Sequence, residues 1–174
     1  MDHEAILDVG CGPKKTPGAY GVDAFAYPGV DLVADLNVMP WPLPDNTYTH
    51  IISNHFIEHV QDVLGFMAEI HRVAKPGALV TLTTPHFTSV NSWSDPTHLR
   101  HLSAQWYKPF VDDGWMAQRG QRFQVISSRV AFGRALRSLW PRLMVKLAGQ
   151  NTWEKHFAFI YPAQDLTTQL RVIK

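Results

Sequence analysis

Cysteine is almost missing from the chain: Cys11 stands alone among 174 residues. An internal disulfide framework and a cysteine-rich zinc module are therefore excluded, and a reducing compartment fits. No stretch approaches the roughly 18 apolar residues of a membrane span, and no signal peptide precedes the first apolar run. Charged residues are sparse at 18%, too few for a disordered chain, while 45% hydrophobic content is ordinary for a globular one. Internal repeats and low-complexity segments are also lacking. The expectation is a soluble, cytoplasmic, single domain covering residues 1–174.

The small net charge of +1 conceals a division. Residues 1–113 carry 13 acids against 6 Lys/Arg, whereas residues 114–174 carry 2 acids against 10 Lys/Arg. Such a split suits a surface that meets something anionic, or a charged interface within the molecule.

Short apolar runs at Ala5–Val9, Tyr20–Val22, Leu32–Ala34, His50–Ser53 and Ala78–Thr83 read as strands, each bounded by Asp, Gly, Pro or Asn. Phe56–Val73 repeats apolar residues every three or four positions and predicts one helix. Ser103–Asp113 is a second helix candidate, with Ser103 as N-cap and Gly114 beyond its end. Phe123–Phe132 and Leu166–Ile173 alternate as strands, one of them free to run antiparallel. Strands alternating with helices predict an α/β fold with a mostly parallel sheet.

Ligands of open α/β sheets bind beyond the carboxyl ends of the strands. Gly10-Cys11-Gly12 follows the first strand, Asp23 the second, Asp35 the third and Asn54-His55 the fourth. Glycines let a ligand approach the backbone, an aspartate accepts both hydroxyls of a ribose, and a further acid accepts from an adenine amino group. A nucleoside-containing ligand accounts for all of them. The dinucleotide fingerprint does not: Lys15 stands where its third glycine belongs, and Asp23 comes too early.

Leu7-Asp8-Val9-Gly10-Cys11-Gly12 and Tyr20-Gly21-Val22-Asp23 resemble the first two motifs of the class I S-adenosylmethionine-dependent methyltransferases. Asp35-Leu36 with Met39–Asn46, Ser53–Val60 and Glu69–Gly77 resemble three further stretches, so the likeness runs through residues 5–114. The likeness is to the small bacterial, methyltransferase-11-like type. The resemblance implies a Rossmann-like sheet whose last strand is antiparallel, with S-adenosyl-L-methionine as cofactor. Gly10, Cys11 and Gly12 would pack their backbone against it, with Asp8 beneath its amino-acid portion. Asp23 would hold the ribose, Asp35 and Leu36 the adenine, and Asn54 would close the methionine side. The family's usual N-terminal helices would be absent, and the nine residues from Cys11 to Ala19 leave no room for a full crossover helix.

Methyl transfer needs alignment and removal of a proton from the acceptor, and histidine suits that base at neutral pH. His55 and His59 follow strand 4, and His98 lies in Ser94–His101 after strand 5, so all three are expected at one acceptor cavity, His98 as base. His55–His59 also spells H-x-x-E-H, a zinc-peptidase arrangement. With His98, the same residues resemble the metal site of the small-RNA 2′-O-methyltransferases, which carry glutamate in place of His55. No metal is assigned on that basis.

Residues 134–161 read as a basic helical insertion: Leu136, Leu139, Trp140, Leu143, Met144 and Leu147 fall at helical spacing among Arg134, Arg137, Arg142 and Lys146. It either packs on the sheet or meets anionic lipid, glycolipid or a partner. Nucleic acid is disfavoured, because no recognisable binding motif accompanies the charge. The expected activity is methyl transfer to an oxygen or nitrogen of a small-molecule or glycan acceptor, such as a lipid-linked sugar. The alternative is a noncatalytic module of the same fold that binds a partner or an anionic membrane surface.

Overall fold

β-branched and aliphatic residues build the centre of a seven-stranded sheet in the computed structural model, which describes residues 5–133 and 138–174. The strands are β1 (Ile6–Val9), β2 (Tyr20–Asp23), β3 (Leu32–Val33), β4 (Tyr48–Asn54), β5 (Ala74–Pro85), β6 (Arg122–Ala131) and β7 (Asp165–Ile173). Their order is β3-β2-β1-β4-β5-β7-β6. β1 to β5 pair in parallel, whereas β7 runs antiparallel to both β5 and β6. The mostly parallel α/β sheet whose last strand in the chain, β7, runs antiparallel between β5 and β6 is as the sequence led us to expect.

The strand order reverses between β1 and β4, and at that switch point the carboxyl ends of both strands open onto one crevice. Residues 11–19, between β1 and β2, form turns and no helix, as their number requires. Lys15 fills part of the space over this crossover; its Nζ pairs with Asp31 Oδ2 at 2.6 Å, and Asp31 also accepts from the Gly21 amide at 2.7 Å.

Two helix readings need correction. Phe56–Val73 is not one helix: a 3-10 turn covers Ile57–His59, the backbone becomes extended at Val60, and α1 starts at Val63 and ends at Val73. Asp62 causes the restart, because its carboxylate accepts from the Leu64 and Gly65 amides and caps the new helix. Ser103–Asp113 is a string of turns with a 3-10 segment at Lys108–Phe110. Pro109 lacks the amide a helix would use there and disfavours helical backbone at Lys108.

The main core packs the α1 face (Phe66, Met67, Ile70, Val73) against Leu7, Val9, Ile51, Val80 and Leu82. A smaller core gathers Phe132, Trp153, Ala158 and Ala163. The remaining α-helices among the described residues are α2 (Val90–Ser94), α3 (Leu139–Ala148) and α4 (Gln150–His156).

Candidate active site

Gly10 turns the chain with φ +68°, and a Cβ there would lie 2.3 Å from the Phe56 ring. The Gly10 amide donates to the Val22 carbonyl at 2.9 Å, which ties the turn to β2. Gly12 also has positive φ (+54°), but a Cβ at that residue would meet nothing within 4 Å. One glycine is sealed by an aromatic ring; the other faces open space.

Asp23 ends β2 and is nearly buried. Its Oδ2 accepts from the Gly12 amide at 2.8 Å, and its Oδ1 accepts from the Phe25 amide at 3.0 Å. Each oxygen keeps a second lone pair. Asp8 is buried too, and its Oδ2 accepts from the Thr16 amide at 2.7 Å, which closes the crossover loop over β1. Burial, with Asp8 and then Asp23 nearby, pushes the Cys11 thiol up to about 11, so it stays neutral at physiological pH.

Asp35 is exposed, and its Oδ1 accepts from the Asn37 amide at 2.9 Å. The side chain of Leu36 is only 2% exposed and belongs to the core, so any ligand contact from this residue comes from its backbone. Trp41 fixes that stretch by donating its indole N–H to the Leu36 carbonyl at 2.9 Å. Asn54 ends β4 with its side chain in solvent.

His55 follows with φ +53°, a left-handed conformation that a non-glycine residue holds at a cost of about 1–3 kcal/mol. Its amide donates to the Thr83 carbonyl at 2.8 Å, pinning the strained turn to β5. The imidazole is 52% exposed, and its Nδ1 lies 3.4 Å from Glu58 Oε1. That carboxylate raises the His55 pKa above the usual imidazole value despite partial burial.

His59 and His98 come together, their rings edge to face with centroids 4.7 Å apart. The Leu99 and Arg100 amides donate to the Glu58 carbonyl at 2.8 and 3.0 Å and fasten the His98 loop to the 3-10 turn. His55 adjoins this pair through Glu58. The side chain of His98 is 8% exposed, poorly open to a large acceptor. The H-x-x-E-H peptidase arrangement does not form, since His55 stands outside any helix and only Ile57–His59 make a 3-10 turn. His86 is a packing residue: fully buried, with its Nε2 3.0 Å from Glu154 Oε1 and its Nδ1 2.7 Å from the Thr88 hydroxyl.

A family model described as a methyltransferase domain matches residues 2–139. The chain belongs to this family. The sheet order and the glycine turn followed by an acid after β2 agree with membership of its class I, S-adenosylmethionine-dependent branch. A protein of Mycolicibacterium smegmatis named "Probable S-adenosylmethionine-dependent methyltransferase" is 28% identical over 125 residues, covering 57% of this chain and 46% of that protein. A demethylmenaquinone methyltransferase of Lysinibacillus sphaericus is 37% identical over 54 residues, covering 31% of this chain and 23% of that protein. The chain thus spans less than half the length of these curated relatives. Among solved structures, a SAM-dependent methyltransferase from Archaeoglobus fulgidus superposes with a TM-score of 0.65 at 18% identity, covering 98% of this chain and 86% of that one. The [4+2]-cyclase SpnF shares the fold, with a TM-score of 0.60 at 16% identity, covering 98% of this chain and 74% of that one.

The methyltransferase cofactor, S-adenosylmethionine, offers a ribose diol, an adenine and a sulfonium-bearing amino acid, and the groups at this edge suit it. Asp23 has two oxygens with a lone pair each to spare, and Gly12 leaves its face open to a ligand. Glu58 stands outside the histidine set expected from the sequence, although its buried carboxylate lies 3.4 Å from His55 Nδ1 and within 4.8 Å of ligand atoms of His59 and His98. Its signal was the glutamate of H-x-x-E-H.

Proposed function

We propose that this methyltransferase-family chain transfers a methyl group from S-adenosylmethionine to an oxygen or nitrogen of a small-molecule or glycan acceptor. The observation that carries the reading is the Gly12–Asp23 pair: an open glycine after β1 whose amide orients a nearly buried carboxylate at the end of β2, beside the switch point of the sheet. When bound, the cofactor supplies a methyl group made electrophilic by the sulfonium. Asp23 holds the ribose hydroxyls, Gly10, Cys11 and Gly12 line the backbone side, Asp8 orders the loop under the amino-acid portion, and Asn54 closes the methionine side. Asp35 and the Leu36 backbone take the adenine. His55 is exposed and next to Asn54, so it would meet the acceptor first and take its proton, the methyl carbon passing to the acceptor's oxygen or nitrogen as its bond to sulfur breaks and S-adenosylhomocysteine leaves. His98 and His59 stand behind it.

A cavity of about 950 Å³ opens near the C-terminal end of β5, lined in part by Ser89, Asn91, Tyr161 and Gln164 with Val90 and Ile160. Mixed polar and apolar walls of that size suit a sugar or lipid-linked sugar acceptor.

The test is calorimetry and thermal unfolding with S-adenosylhomocysteine. At 100 times its Kd the ligand stabilises the fold by about 2.7 kcal/mol, a Tm rise of roughly 5–10 °C. NAD gives no rise, and Asp23→Ala abolishes the rise while leaving the unliganded fold in place. A rise with NAD alone overturns the assignment. Labelled cofactor with a panel of glycans then identifies the acceptor.

A second reading, contact of residues 134–161 with an anionic lipid surface, is favoured by α3: Leu139, Trp140, Leu143 and Leu147 are all exposed there, next to the exposed Lys146. Arg134, Leu136 and Arg137 of that segment lie outside the described residues.

A further inference from the structure

We propose that Glu58, His59 and His98 form a binding site for a divalent transition-metal ion, with zinc as the reference ligand. Among the described residues, one ligand atom from each of the three lies within 4.8 Å of the others. Tetrahedral zinc with bonds of about 2.0–2.1 Å needs ligand atoms roughly 3.4 Å apart, so side-chain adjustments of about an ångström complete the site.

The carboxylate asks for a cation. Glu58 is 1% exposed, and neither of its oxygens accepts a hydrogen bond. A charge buried to this degree is costly, and its one ion-pair contact among the described residues, His55 Nδ1 at 3.4 Å, is long and comes from a half-exposed ring.

The two imidazoles are set in the tautomer that ligates through Nε2. His98 Nδ1 lies 3.1 Å from the Ser92 carbonyl oxygen. A carbonyl only accepts, so Nδ1 carries the proton and Nε2 of the neutral ring carries the lone pair. His59 Nδ1 lies 3.3 Å from the Thr97 carbonyl and 3.0 Å from the Thr97 hydroxyl. That hydroxyl spends its single proton on Asp95 Oδ1 at 2.6 Å, so toward His59 it also accepts. Both rings therefore donate Nδ1–H to the loop and present a free Nε2, the outer-shell pattern that orients ligating histidines. The nearest other acid, Asp95, has its Oδ2 3.9 Å from His98 Nε2, beyond hydrogen-bond reach.

Two neutral imidazoles and one carboxylate select zinc, iron, cobalt or nickel over magnesium or calcium, which prefer oxygen sets. Three protein ligands also leave a position for water or another oxygen. The inference stands whether or not the chain transfers methyl groups, because metal uptake is read without cofactor.

The experiment is titration of the chelator-stripped protein with zinc by calorimetry, and with cobalt by visible absorption. We expect one equivalent of zinc per chain, a raised Tm and the intense d–d bands of low-coordinate cobalt. His59→Ala and His98→Ala each weaken zinc at least about tenfold, as does Glu58→Gln, while the exposed His156→Ala binds like the parent. Far-UV circular dichroism of each metal-free variant separates loss of the site from loss of the fold. Should Glu58→Gln fail to fold, the two histidine variants decide the matter. Absence of stoichiometric uptake by the parent chain, or uptake unchanged in His59→Ala and His98→Ala, overturns the proposal. S-adenosylhomocysteine binding measured on the same samples keeps that result distinct from failure of the methyltransferase reading.

Discussion

Gly10 shows how one residue couples the donor turn to the histidine side of the crevice. Its lack of a side chain admits the Phe56 ring: a Cβ would meet two ring atoms at 2.3 Å and the Phe56 Cβ at 2.7 Å. Phe56 immediately follows the strained His55, so the ring resting on Gly10 helps to fix the turn from which the His55 imidazole projects. Gly10→Ala combines this clash with a left-handed backbone and is expected to destabilise the fold by about 2–3 kcal/mol in urea unfolding. In a Phe56→Ala background the two ring contacts at 2.3 Å are removed and only the Cβ contact at 2.7 Å persists, so the loss falls towards the backbone part of about 1 kcal/mol. Equal losses in the two backgrounds would refute the coupling. The glycine turn and the acid at the end of β2 were legible from residue types alone, because a positive φ favours glycine and the apolar run of β2 stops at Asp23. The tautomers of His59 and His98 were not. They depend on the carbonyls of Thr97 and Ser92, and no sequence pattern says which backbone oxygen a ring will meet.

The loop between β3 and β4, which carries Asp35 and Leu36, is held by α1 through a clamp. Arg72 donates through Nε and Nη2 to the two Glu69 oxygens at 2.9 and 2.6 Å, and through Nη2 and Nη1 to the Trp41 and Leu43 carbonyls at 3.0 and 2.9 Å. It also pairs with Asp45. Glu69 Oε2 accepts from the Trp41 amide at 2.7 Å, so both partners grip the same turn. Burial works to raise the Glu69 pKa, but the bonds from Arg72 and the Trp41 amide outweigh it and hold the carboxyl below its ordinary 4.5. A depressed acid stabilises the fold above that ordinary value and loses its contribution as pH falls through the lower folded value. Glu69→Gln is therefore expected to cost about 2–3 kcal/mol at pH 7, less than a fully buried pair because Arg72 is partly exposed. The difference from the parent shrinks in urea titrations carried below pH 4.5. A pH-independent difference would show that packing, not charge, holds the loop. The sequence motif displayed Glu69 and Arg72 without saying what they bind, because their partners are backbone atoms some 30 positions away. Helix boundaries failed for a related reason: the apolar period runs through Phe56–Val73, while the Asp62 cap that restarts the helix is a local hydrogen-bond choice.

At the scale of the whole molecule, the segment after β6 divides into an anchored part and an exposed part. Trp153 of α4 is completely buried against Phe132, and Glu154 accepts from the Ala104 amide at 2.7 Å while pairing with His86, so α4 is fastened to the sheet. On α3, by contrast, Leu139, Trp140, Leu143 and Leu147 stay exposed, the last at 76%, and Phe159 and Ile160 beyond α4 are exposed at 84% and 66%. Among the described residues, α4 is thus packed on the fold, while α3 keeps an exposed apolar face. Arg142 is a poor probe of membrane charge, because its Nη2 donates to the Phe132 and Gly133 carbonyls at 3.1 Å and a substitution would disturb the backbone. Leu143, Leu147 and Lys146 are the informative positions. If α3 lies in a lipid interface, the chain sediments with vesicles rich in phosphatidylglycerol and much less with neutral ones. Raising salt weakens that binding in part, since apolar burial is unscreened while the lysine contribution is not. Leu143→Glu with Leu147→Glu abolishes sedimentation and Lys146→Glu reduces it, each with unfolding free energy within about 0.5 kcal/mol of the parent, as expected for exposed sites. Recovery equal on neutral and anionic vesicles, or sedimentation that survives the double leucine change, would leave α3 with no role at a charged lipid surface.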